Sequence, residues 1–414
     1  MSAGAEREAR ARHRALLSVA AARRRMLAHV PRLATEKIAI DGLAANRVLA
    51  ADVVAQVLLP PWNTSAMDGY AVRAQDVRRV PLRLPVVGEM AAGTPPGTVT
   101  IGAASCAKVM TGAPLPVGAD AVVPYEWTDR GATEVYILQS ASPGNAVRQA
   151  GEDLTPGDPI LAAGHRLRPT DLAAVAASGL ATIEVSKRPR VAVVTTGDEI
   201  RSPGSRLEPG QIYDTAGPAL EALISSAGGE LTLRLRVGDD PQLVEAALAE
   251  AAAASDVLVT VGGVSVGDHD HVRATLERLG KLWLWRVAMR PGRPIAFGEL
   301  DGSVFLGLPG NPVSANVTFI LFGAPSLLAM QGASRTEPLT QPAELLHDVE
   351  KPEGLETFHR AVVSSRAGKL PGVRLTGTQS SGATISLARA DALLVLPAKG
   401  ISLERGTVVK TIPL

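Results

Sequence analysis

The chain has 414 residues, more than one hydrophobic core usually supports, so we expect two to four domains. Its 42 Lys and Arg residues nearly cancel its 41 Asp and Glu residues, and the formal charge of +1 gives no electrostatic reason to expect a nucleic-acid partner. The single cysteine, Cys106, excludes an intramolecular disulfide and a cysteine-rich zinc site, which fits a reducing compartment. Cys106 lies in a mostly apolar run, which favours a buried core residue over a nucleophile.

The first predicted element is a helix over residues 8–29, where apolar residues recur at helical spacing. Arginines are spread through this helical pattern instead of preceding a short apolar segment with a cleavage site, so we expect a cytoplasmic protein without an export signal. From residue 38 to residue 183, short β-branched runs are interrupted repeatedly by Gly and Pro. This pattern predicts β-rich structure with many loops.

Strands and helices alternate from residue 190 onward. Strands are predicted at residues 191–195, 257–261 and 304–308, and helices at 218–227 and 242–254. The alternation predicts an α/β domain with a mostly parallel sheet, in which ligands bind beyond the carboxyl ends of the strands. The longest apolar stretch, 313–330, contains polar residues and Pro325, so it is predicted to be a buried helix that ends or kinks near that proline and not a membrane span. Short strands after residue 338 predict a small C-terminal β domain.

Two polar turns directly follow predicted strands of the α/β region. The first carries Thr196, Gly197 and Glu199, whose hydroxyl and carboxylate groups suit a phosphate-bearing ligand and a hard cation such as Mg²⁺. A helix N-cap explains the same residues equally well. The second runs from Gly262 and Gly263 to Asp270, and its bare backbone N–H groups can approach an anion while its carboxylates face a cation.

A third turn, at Pro309, Gly310 and Asn311, opens the apolar helix, whose first N–H groups are free to bind an anion. A role as N-cap of this helix is enough to explain Asn311. It explains Pro309 and Gly310 less well. Arg290 and Arg293 lie on a proline-rich loop and form a plausible clamp for an oxyanion, although exposed surface arginines would look the same.

Two polar loops in the β-rich region match no general mechanistic motif. One contains Asp68 and the other Thr111, and both residues are candidate ligand contacts.

Residues 263–267 also satisfy the G-x-S-x-G pattern of serine hydrolases, with Ser265 as the nucleophile. That chemistry needs an acid and a histidine from later loops. His269 and His271 are too close in sequence to act as a triad base, and His347 and His359 lie in the terminal β region. We therefore favour another role for this turn.

Taken together, the loops resemble the MoeA family of molybdopterin molybdenumtransferases, bacterial relatives of the C-terminal part of gephyrin. Seven segments carry the resemblance, in order along the chain: SAMDGYA (65–71), MTGAPLP (110–116), TTGDE (195–199), GQIYD (210–214), GGVSVGD (262–268), MRPGRP (289–294) and GLPGNP (307–312). Each is modest evidence alone, whereas the ordered set is specific.

The resemblance implies a multidomain α/β plus β fold. Its parts would be an elongated linking domain (1–35, 48–58 and 148–187), a β-rich domain (36–47 and 59–147), a molybdopterin-binding α/β domain similar to MogA (188–331) and a C-terminal β-barrel-like domain (332–414). It also implies a homodimer with the active site at the subunit interface, and a MogA-type adenylyltransferase and molybdoenzyme-maturation proteins as further partners. Molybdate would be inserted into adenylylated molybdopterin, with Mg²⁺ as cofactor and AMP as the released product.

The resemblance also implies roles for individual residues. The catalytic residues would be Asp68, Thr111, Glu199 and Asp268, and the Mg²⁺ ligands Glu199, Asp239, Asp240 and Asp268. The substrate-binding residues would be Arg148, Asp153, Thr196, Gly197, Asp214, Gly262, Gly263, Ser265, Arg290, Arg293, Pro309, Gly310 and Asn311. Arg290 and Arg293 would bind the molybdate oxyanion.

The chain departs from the family pattern at Thr215-Ala216, where Ser-Asn is usual, and at Ser380, where a glycine-containing turn is usual. The departure at Thr215-Ala216 affects one expected contact to the ligand. The departure at Ser380 affects the expected role of its neighbour Ser381. A non-catalytic molybdopterin-binding or scaffolding protein is the alternative from another functional class. Molybdate and tungstate are too similar to be distinguished from the sequence.

Overall fold

The computed structural model describes residues 16–264 and 271–414. The α-helices of this part of the chain are α1 Val19–Leu27, α2 Asp171–Ala177, α3 Ala216–Ser226, α4 Pro241–Ala253, α5 His271–Leu279, α6 Pro312–Thr318, α7 Ala324–Met330 and α8 Ile385–Ala388. A π-helical turn, Phe319–Gly323, joins α6 to α7. Short 3₁₀ helices cover Gly42–Ala44, Ala74–Val77 and Tyr125–Trp127.

The first strands, up to the α/β region, are β1 Thr35–Ala39, β2 Val53–Val54, β3 Thr64–Ser65, β4 Gly69–Val72, β5 Leu82–Met90, β6 Cys106–Val109, β7 Ala121–Pro124, β8 Glu134–Ile137, β9 Val147–Arg148, β10 Pro159–Leu161 and β11 Thr182–Ser186. The α/β region adds β12 Arg190–Thr196, β13 Ile200–Arg201, β14 Ile212–Tyr213, β15 Glu230–Val237, β16 Val257–Val261, β17 Lys281–Trp285, β18 Met289–Arg290, β19 Ala296–Leu300 and β20 Ser303–Leu308. The last strands are β21 Gln341–Leu345, β22 Val349–Glu350, β23 Glu356–Ser364, β24 Gly372–Leu375, β25 Ala392–Leu396, β26 Ser402–Leu403 and β27 Val408–Pro413.

A six-stranded sheet of order β15-β12-β16-β20-β19-β17 forms the centre of the α/β unit. Its first four strands are parallel, and β19 and β17 are antiparallel to their neighbours. Helices α3, α6 and α7 bury one face of the sheet, and α4 and α5 bury the other. The predicted α/β domain with a mostly parallel sheet is thus confirmed, and the buried central strands explain the β-branched runs in the sequence.

The long apolar stretch is the central helical segment of this unit, Pro312–Met330. By length and composition it is the one helix of the described ranges that could cross a membrane, but 72% of its 18-residue apolar window is buried inside the protein. Pro325 has no N–H to donate to the carbonyl of Leu321 four residues earlier. That carbonyl instead accepts a hydrogen bond from Nε of Arg23 in α1, at 3.2 Å. The predicted irregularity near Pro325 is therefore a π turn before the proline, bound by the side chain of another helix.

The β-rich unit contains a five-stranded sheet of order β7-β4-β6-β5-β8. Cys106 is fully buried in its core, and burial raises the pKa of the thiol to about 12. This confirms the predicted core role of the cysteine.

The C-terminal unit is a closed barrel, because β23, β24, β21, β27 and β25 pair in that order and β25 pairs back with β23. Its core is formed by aliphatic side chains from all five strands.

The structure differs from the expected domain boundaries at two places. Residues 36–47 were grouped with the β-rich domain, but β1 pairs antiparallel with β11, and Ile38 packs into the core of the linking unit with Val185. Within residues 1–35, the buried side chains of α1 join the core of the α/β unit, not that of the linking unit. In both cases the apolar face of a short element determines which core it joins. The residues that it packs against lie far away in the sequence.

Candidate functional site

The carboxyl ends of the parallel strands β12, β15, β16 and β20 open onto one cavity of about 440 Å³. Four of the loops that follow the strands contribute residues to its wall. From the expected set, the cavity is lined by Thr196, Gly197, Glu199, Asp214, Asp239, Gly262, Gly263, Gly310 and Asn311. The structure therefore brings together most of the α/β residues that were predicted separately from their turns.

The described part of the glycine turn requires glycine. Gly262 and Gly263 have φ angles of +95° and +67°, which L side chains rarely adopt. A Cβ on Gly262 would lie 2.7 Å from Oγ1 of Thr196, and one on Gly263 would lie 2.5 Å from Val272. The backbone of this turn can therefore approach a ligand closely. Ser265, an expected substrate-binding residue, and Asp268, an expected catalytic residue and Mg²⁺ ligand, lie outside the described residues.

Glu199 and Asp239 are two of the three carboxylates that line the cavity, and the loops that carry them are hydrogen-bonded to each other. The Asp198 N–H donates to Oδ2 of Asp239 at 3.4 Å, and the Asp239 N–H donates to Oδ1 of Asp198 at 3.2 Å. Asp240 does not line the cavity, since its Oδ1 caps α4 by accepting from the N–H groups of Gln242 and Leu243. Asp240 thus differs from Glu199 and Asp239, the two expected metal ligands that line the cavity.

Asp214 lines the same cavity but is already paired. It is 4% exposed, and its Oδ2 accepts from Arg234 at 2.8 Å while its Oδ1 accepts from the Gly217 N–H at 2.8 Å. Asp214 is therefore a fixed part of the wall.

No group of three His, Cys, Asp or Glu side chains within residues 16–264 and 271–414 is arranged to hold a metal ion. Mg²⁺ needs fewer protein ligands than that, because it is usually bound by one or two carboxylates together with phosphate oxygens of a substrate. Glu199 and Asp239 are two carboxylates on the wall of one cavity, and this lining is what the structure shows of them.

A second cavity, of about 900 Å³, lies between the α/β unit and the barrel. Arg290, Arg293 and Pro309 line it from one side, and Ser380 and Ser381 from the other. Gly292 shapes the arginine loop: its φ is +95°, and a Cβ there would lie 2.2 Å from Oγ1 of Thr318.

Asn311 lines both cavities. Its side chain does not make the usual capping hydrogen bond at the start of α6, although the backbone places it at the N-cap position. The capping interpretation of Asn311 is therefore incomplete, and Asn311 is a wall residue that the two cavities share.

One lining residue of each cavity also has a buried polar atom without a hydrogen-bond partner among the described residues, namely Oγ1 of Thr195 at the first cavity and Nδ1 of His359 at the second, and neither atom is itself accessible from the cavity. Sequence reasoning did not select either as a ligand contact. The sequence signals for them were weak. Thr195 is a polar residue at the end of an apolar strand, and His359 is a histidine within a strand.

The expected residues of the β-rich unit form a separate group. Oδ1 of Asp68 accepts from the Thr111 N–H at 2.7 Å and from its hydroxyl at 2.8 Å, and these bonds hold the pKa of Asp68 below its usual value. Arg148 pairs with Glu152 at 2.6 Å, and Asp153 is exposed on the following loop. None of the four expected residues lines either cavity.

The two later histidines do not form a hydrolase triad with the described residues. Nδ1 of His347 lies 3.0 Å from the Asp348 carbonyl, and its Nε2 accepts from the Leu375 N–H. Neither His347 nor His359 is hydrogen-bonded to a carboxylate within the described ranges, as a triad base would be.

Three family models match the chain in succession. Residues 17–179 match the MoeA N-terminal region (domains I and II), 192–329 match a domain described as a probable molybdopterin binding domain, and 342–414 match the MoeA C-terminal region (domain IV). The middle match covers nearly all of the α/β unit that forms the first cavity.

Whole-length relatives agree with these matches. The chain is 37% identical to molybdopterin molybdenumtransferase 2 of Mycobacterium tuberculosis over 88% of this chain and 91% of that one. It is 33% identical to the molybdopterin molybdenumtransferase of Haemophilus influenzae over 96% and 98% of the two chains. The crystal structure of the molybdopterin biosynthesis MoeA protein of Pyrococcus horikoshii OT3 superposes with a TM-score of 0.79 at 28% identity, covering 96% of this chain and 100% of that one. The chain therefore belongs to the MoeA family of molybdopterin molybdenumtransferases.

Proposed function

We propose that this protein inserts molybdate into adenylylated molybdopterin, releasing AMP and forming molybdenum cofactor. The observation that carries the proposal is the pair of cavities that share Asn311 as a wall residue. The first offers glycine turns and carboxylates to a phosphate-bearing ligand, and the second offers arginines to an oxyanion. The relatives named above, at 33% and 37% identity, support the same activity.

In this proposal, the first cavity binds the adenylylated pterin. The backbone amides at Gly262, Gly263 and the start of α6 face its phosphate groups. Glu199 and Asp239 would hold Mg²⁺ together with phosphate oxygens, and the bound ion would neutralise charge on the phosphates.

Molybdate binds in the second cavity through Arg290 and Arg293. The cavities then position the two substrates next to each other, and the positive groups stabilise the charge that develops during exchange. The pterin dithiolene sulfurs bind the metal, so the buried Cys106 takes no part.

We further propose that the active site is completed in a homodimer. Asp68 and Thr111 form an ordered polar group that lines neither cavity of their own chain. Trp62 and Met67 in the adjoining loop are 41% and 42% exposed, as expected of a surface that meets another chain. A second copy would place its Asp68 and Thr111 over the first cavity.

The single buried thiol and the family's biosynthetic role favour a cytoplasmic location. An adenylyltransferase of the MogA type would supply the substrate, and molybdoenzyme-maturation proteins would receive the product.

The test is to mix the protein with adenylylated molybdopterin, Mg²⁺ and molybdate and to measure AMP release. We expect molybdate-dependent release, and a loss of at least about 100-fold in Glu199→Gln because a charged group at the phosphates is removed. Glu250→Gln, an exposed change on α4 outside both cavities, is the matched control. Substrate binding without AMP release would instead identify a scaffolding protein.

A further inference from the structure

Strand β17 carries two of the four tryptophans of the chain, and a β-bulge directs them to opposite faces of the sheet. Its pairing with β19 shifts by one residue between Leu282 and Leu284, so Trp283 is the extra residue of the bulge. In a regular strand, residues 283 and 285 would share a face. Here Trp283 packs on the core beneath α3, α6 and α7, whereas Trp285 packs on the core beneath α4 and α5.

Trp285 is bonded to the glycine turn of the first cavity. Its indole N–H donates to the carbonyl of Val264 at 3.2 Å. The preceding carbonyl, that of Gly263, accepts from the backbone N–H of Arg273 in α5, also at 3.2 Å. Two successive carbonyls of the turn are therefore held by β17 and α5, while Gly262 and Gly263 line the cavity.

Two arginines hold the indole ring itself. The guanidinium carbon of Arg273 lies 3.7 Å from the ring centroid of Trp285, and that of Arg286 lies 4.1 Å from it. Both contacts are attractive and restrict the orientation of the ring. Arg273 is in turn paired with Glu277 at 2.8 Å. The direction of the indole N–H is thus set by several contacts of the surrounding elements.

The turn needs such support from outside. Glycine loses more conformational freedom on folding than any other residue, and Gly262 and Gly263 have no side chains that could pack and hold the backbone. A donor from a rigid strand compensates for this, because it keeps the carbonyl of Val264 at one position. The bulge that places Trp285 on this face therefore serves the glycine turn.

We propose that Trp285 is a positioning residue, which fixes the glycine turn in the conformation that receives the phosphate groups of the nucleotide substrate. This rests on the proposed function, which places those phosphates against the turn. Trp285 lines neither cavity, so it acts through the backbone of the turn and does not contact the substrate.

The first experiment measures how firmly the turn is held. Trp285→Phe keeps an aromatic ring and loses the N–H, and Trp283→Phe is the matched change on the same strand, where Trp283 stacks on His29 at 4.5 Å. The Arg273 N–H bonds the turn directly, so its hydrogen exchange reports opening of the turn.

We expect exchange at the Arg273 amide to accelerate about fivefold in Trp285→Phe and to stay within about twofold of the wild type in Trp283→Phe. The amides of α4 pack on the same face and correct for any general loss of stability. Unchanged exchange in Trp285→Phe would overturn the proposal.

The second experiment measures AMP release as adenylylated molybdopterin is varied. Trp285→Phe should raise KM about fivefold and leave kcat within about twofold, because the turn binds the phosphates equally in the ground state and the transition state. Trp283→Phe should change neither constant. Equal KM values for Trp285→Phe and the wild type would contradict the proposal, and so would the same rise in both variants.

The third measurement uses the wild-type protein, so it does not depend on the folding of a variant. The indole N–H signals of Trp283 and Trp285 are followed by NMR while AMP and Mg²⁺ are added. A ligand against the turn should shift the Trp285 signal, since its acceptor is part of that turn, and leave the Trp283 signal in place. A Trp285 signal that does not move at saturating AMP would refute the link between this residue and the phosphates.

The outcomes separate this inference from the proposed function. If the proposed function fails alone, the wild type releases no AMP, while faster exchange at Arg273 in Trp285→Phe still shows that the indole fixes the turn. If the inference fails alone, the wild type releases AMP with a KM that Trp285→Phe does not change.

Discussion

Asp68 shows how one neighbour can set the ionisation of an exposed carboxylate. Both hydrogen bonds to its Oδ1 come from Thr111, and the backbone bond contributes most to the lowered pKa. The pKa of the folded carboxyl group therefore lies below its ordinary value of 3.8. Any stability from this contact is present above pH 3.8 and is lost as the pH falls through the folded pKa.

We predict that Thr111→Val raises the pKa of Asp68 only part of the way to 3.8, because valine removes the hydroxyl bond and keeps the N–H bond. Thr111→Ser should leave the pKa nearly unchanged. Carboxyl-carbon NMR titration of the three proteins measures this. Identical pKa values in the valine variant and the wild type would show that the hydroxyl contributes nothing.

Individual site residues could be predicted where a local pattern had a chemical meaning. Glu199, Gly262 and Arg290 each followed a strand or stood in a stiff loop, and each lines a cavity. Asp240 and Asp239 look alike in the sequence, but only the fold shows that one caps a helix. His359 could not be chosen because the inward face of its strand depends on the closure of the barrel.

At the scale of elements, the loop with both arginines depends on Gly292. We predict that Gly292→Ala destabilises the protein by more than about 1 kcal/mol, because φ is positive and the new methyl group meets Oγ1 of Thr318. Gly302→Ala is the matched control, since its φ is +82° and the space around it is open. Chemical denaturation gives both free energies, and an equal loss at the two sites would show that the Thr318 contact is unimportant.

The π turn before Pro325 leads to a second prediction for elements. Arg23→Ala removes this hydrogen bond to the Leu321 carbonyl and should cost about 1–3 kcal/mol of unfolding free energy. In a Pro325→Ala background the restored N–H can bond that carbonyl, so the same change should cost less.

A double-mutant cycle by denaturation measures the difference. Arg24→Ala, an exposed change one residue along α1, controls for helix propensity. Glu337→Ala removes the ion pair that Arg23 also makes, which is exposed on the Glu337 side and worth little. Additive losses in the cycle would contradict the proposed link between the proline and Arg23.

At the scale of the whole molecule, the homodimer proposal predicts complementation between two inactive variants. Asp68→Ala and Glu199→Ala should each lose AMP release, because each damages every site of its own homodimer. Mixed in equal amounts and allowed to exchange subunits, they should recover about one quarter of the wild-type activity, since half of the dimers carry one intact site of two. No recovery after proven exchange would place both residues in sites within one chain.

The extent of the α/β unit could be read from its alternating strands and helices, whereas the course of the chain between units could not. Residues 36–47 are short and weakly patterned, and only pairing with β11 assigns them to the linking unit. The same holds for α1, whose amphipathic face could have packed on any apolar surface. Long-range packing decides both cases.

The position of α1 has a consequence for synthesis on the ribosome. Its buried residues Val19, Ala22 and Met26 pack against side chains as far along the chain as Met330, and Arg23 bonds a carbonyl at Leu321. About 300 residues must therefore be made before the first described helix can be covered, and this delay exceeds 10 seconds at ordinary elongation rates. During that interval the nascent chain presents an uncovered apolar helix, so this protein should engage ribosome-associated chaperones early and release them late.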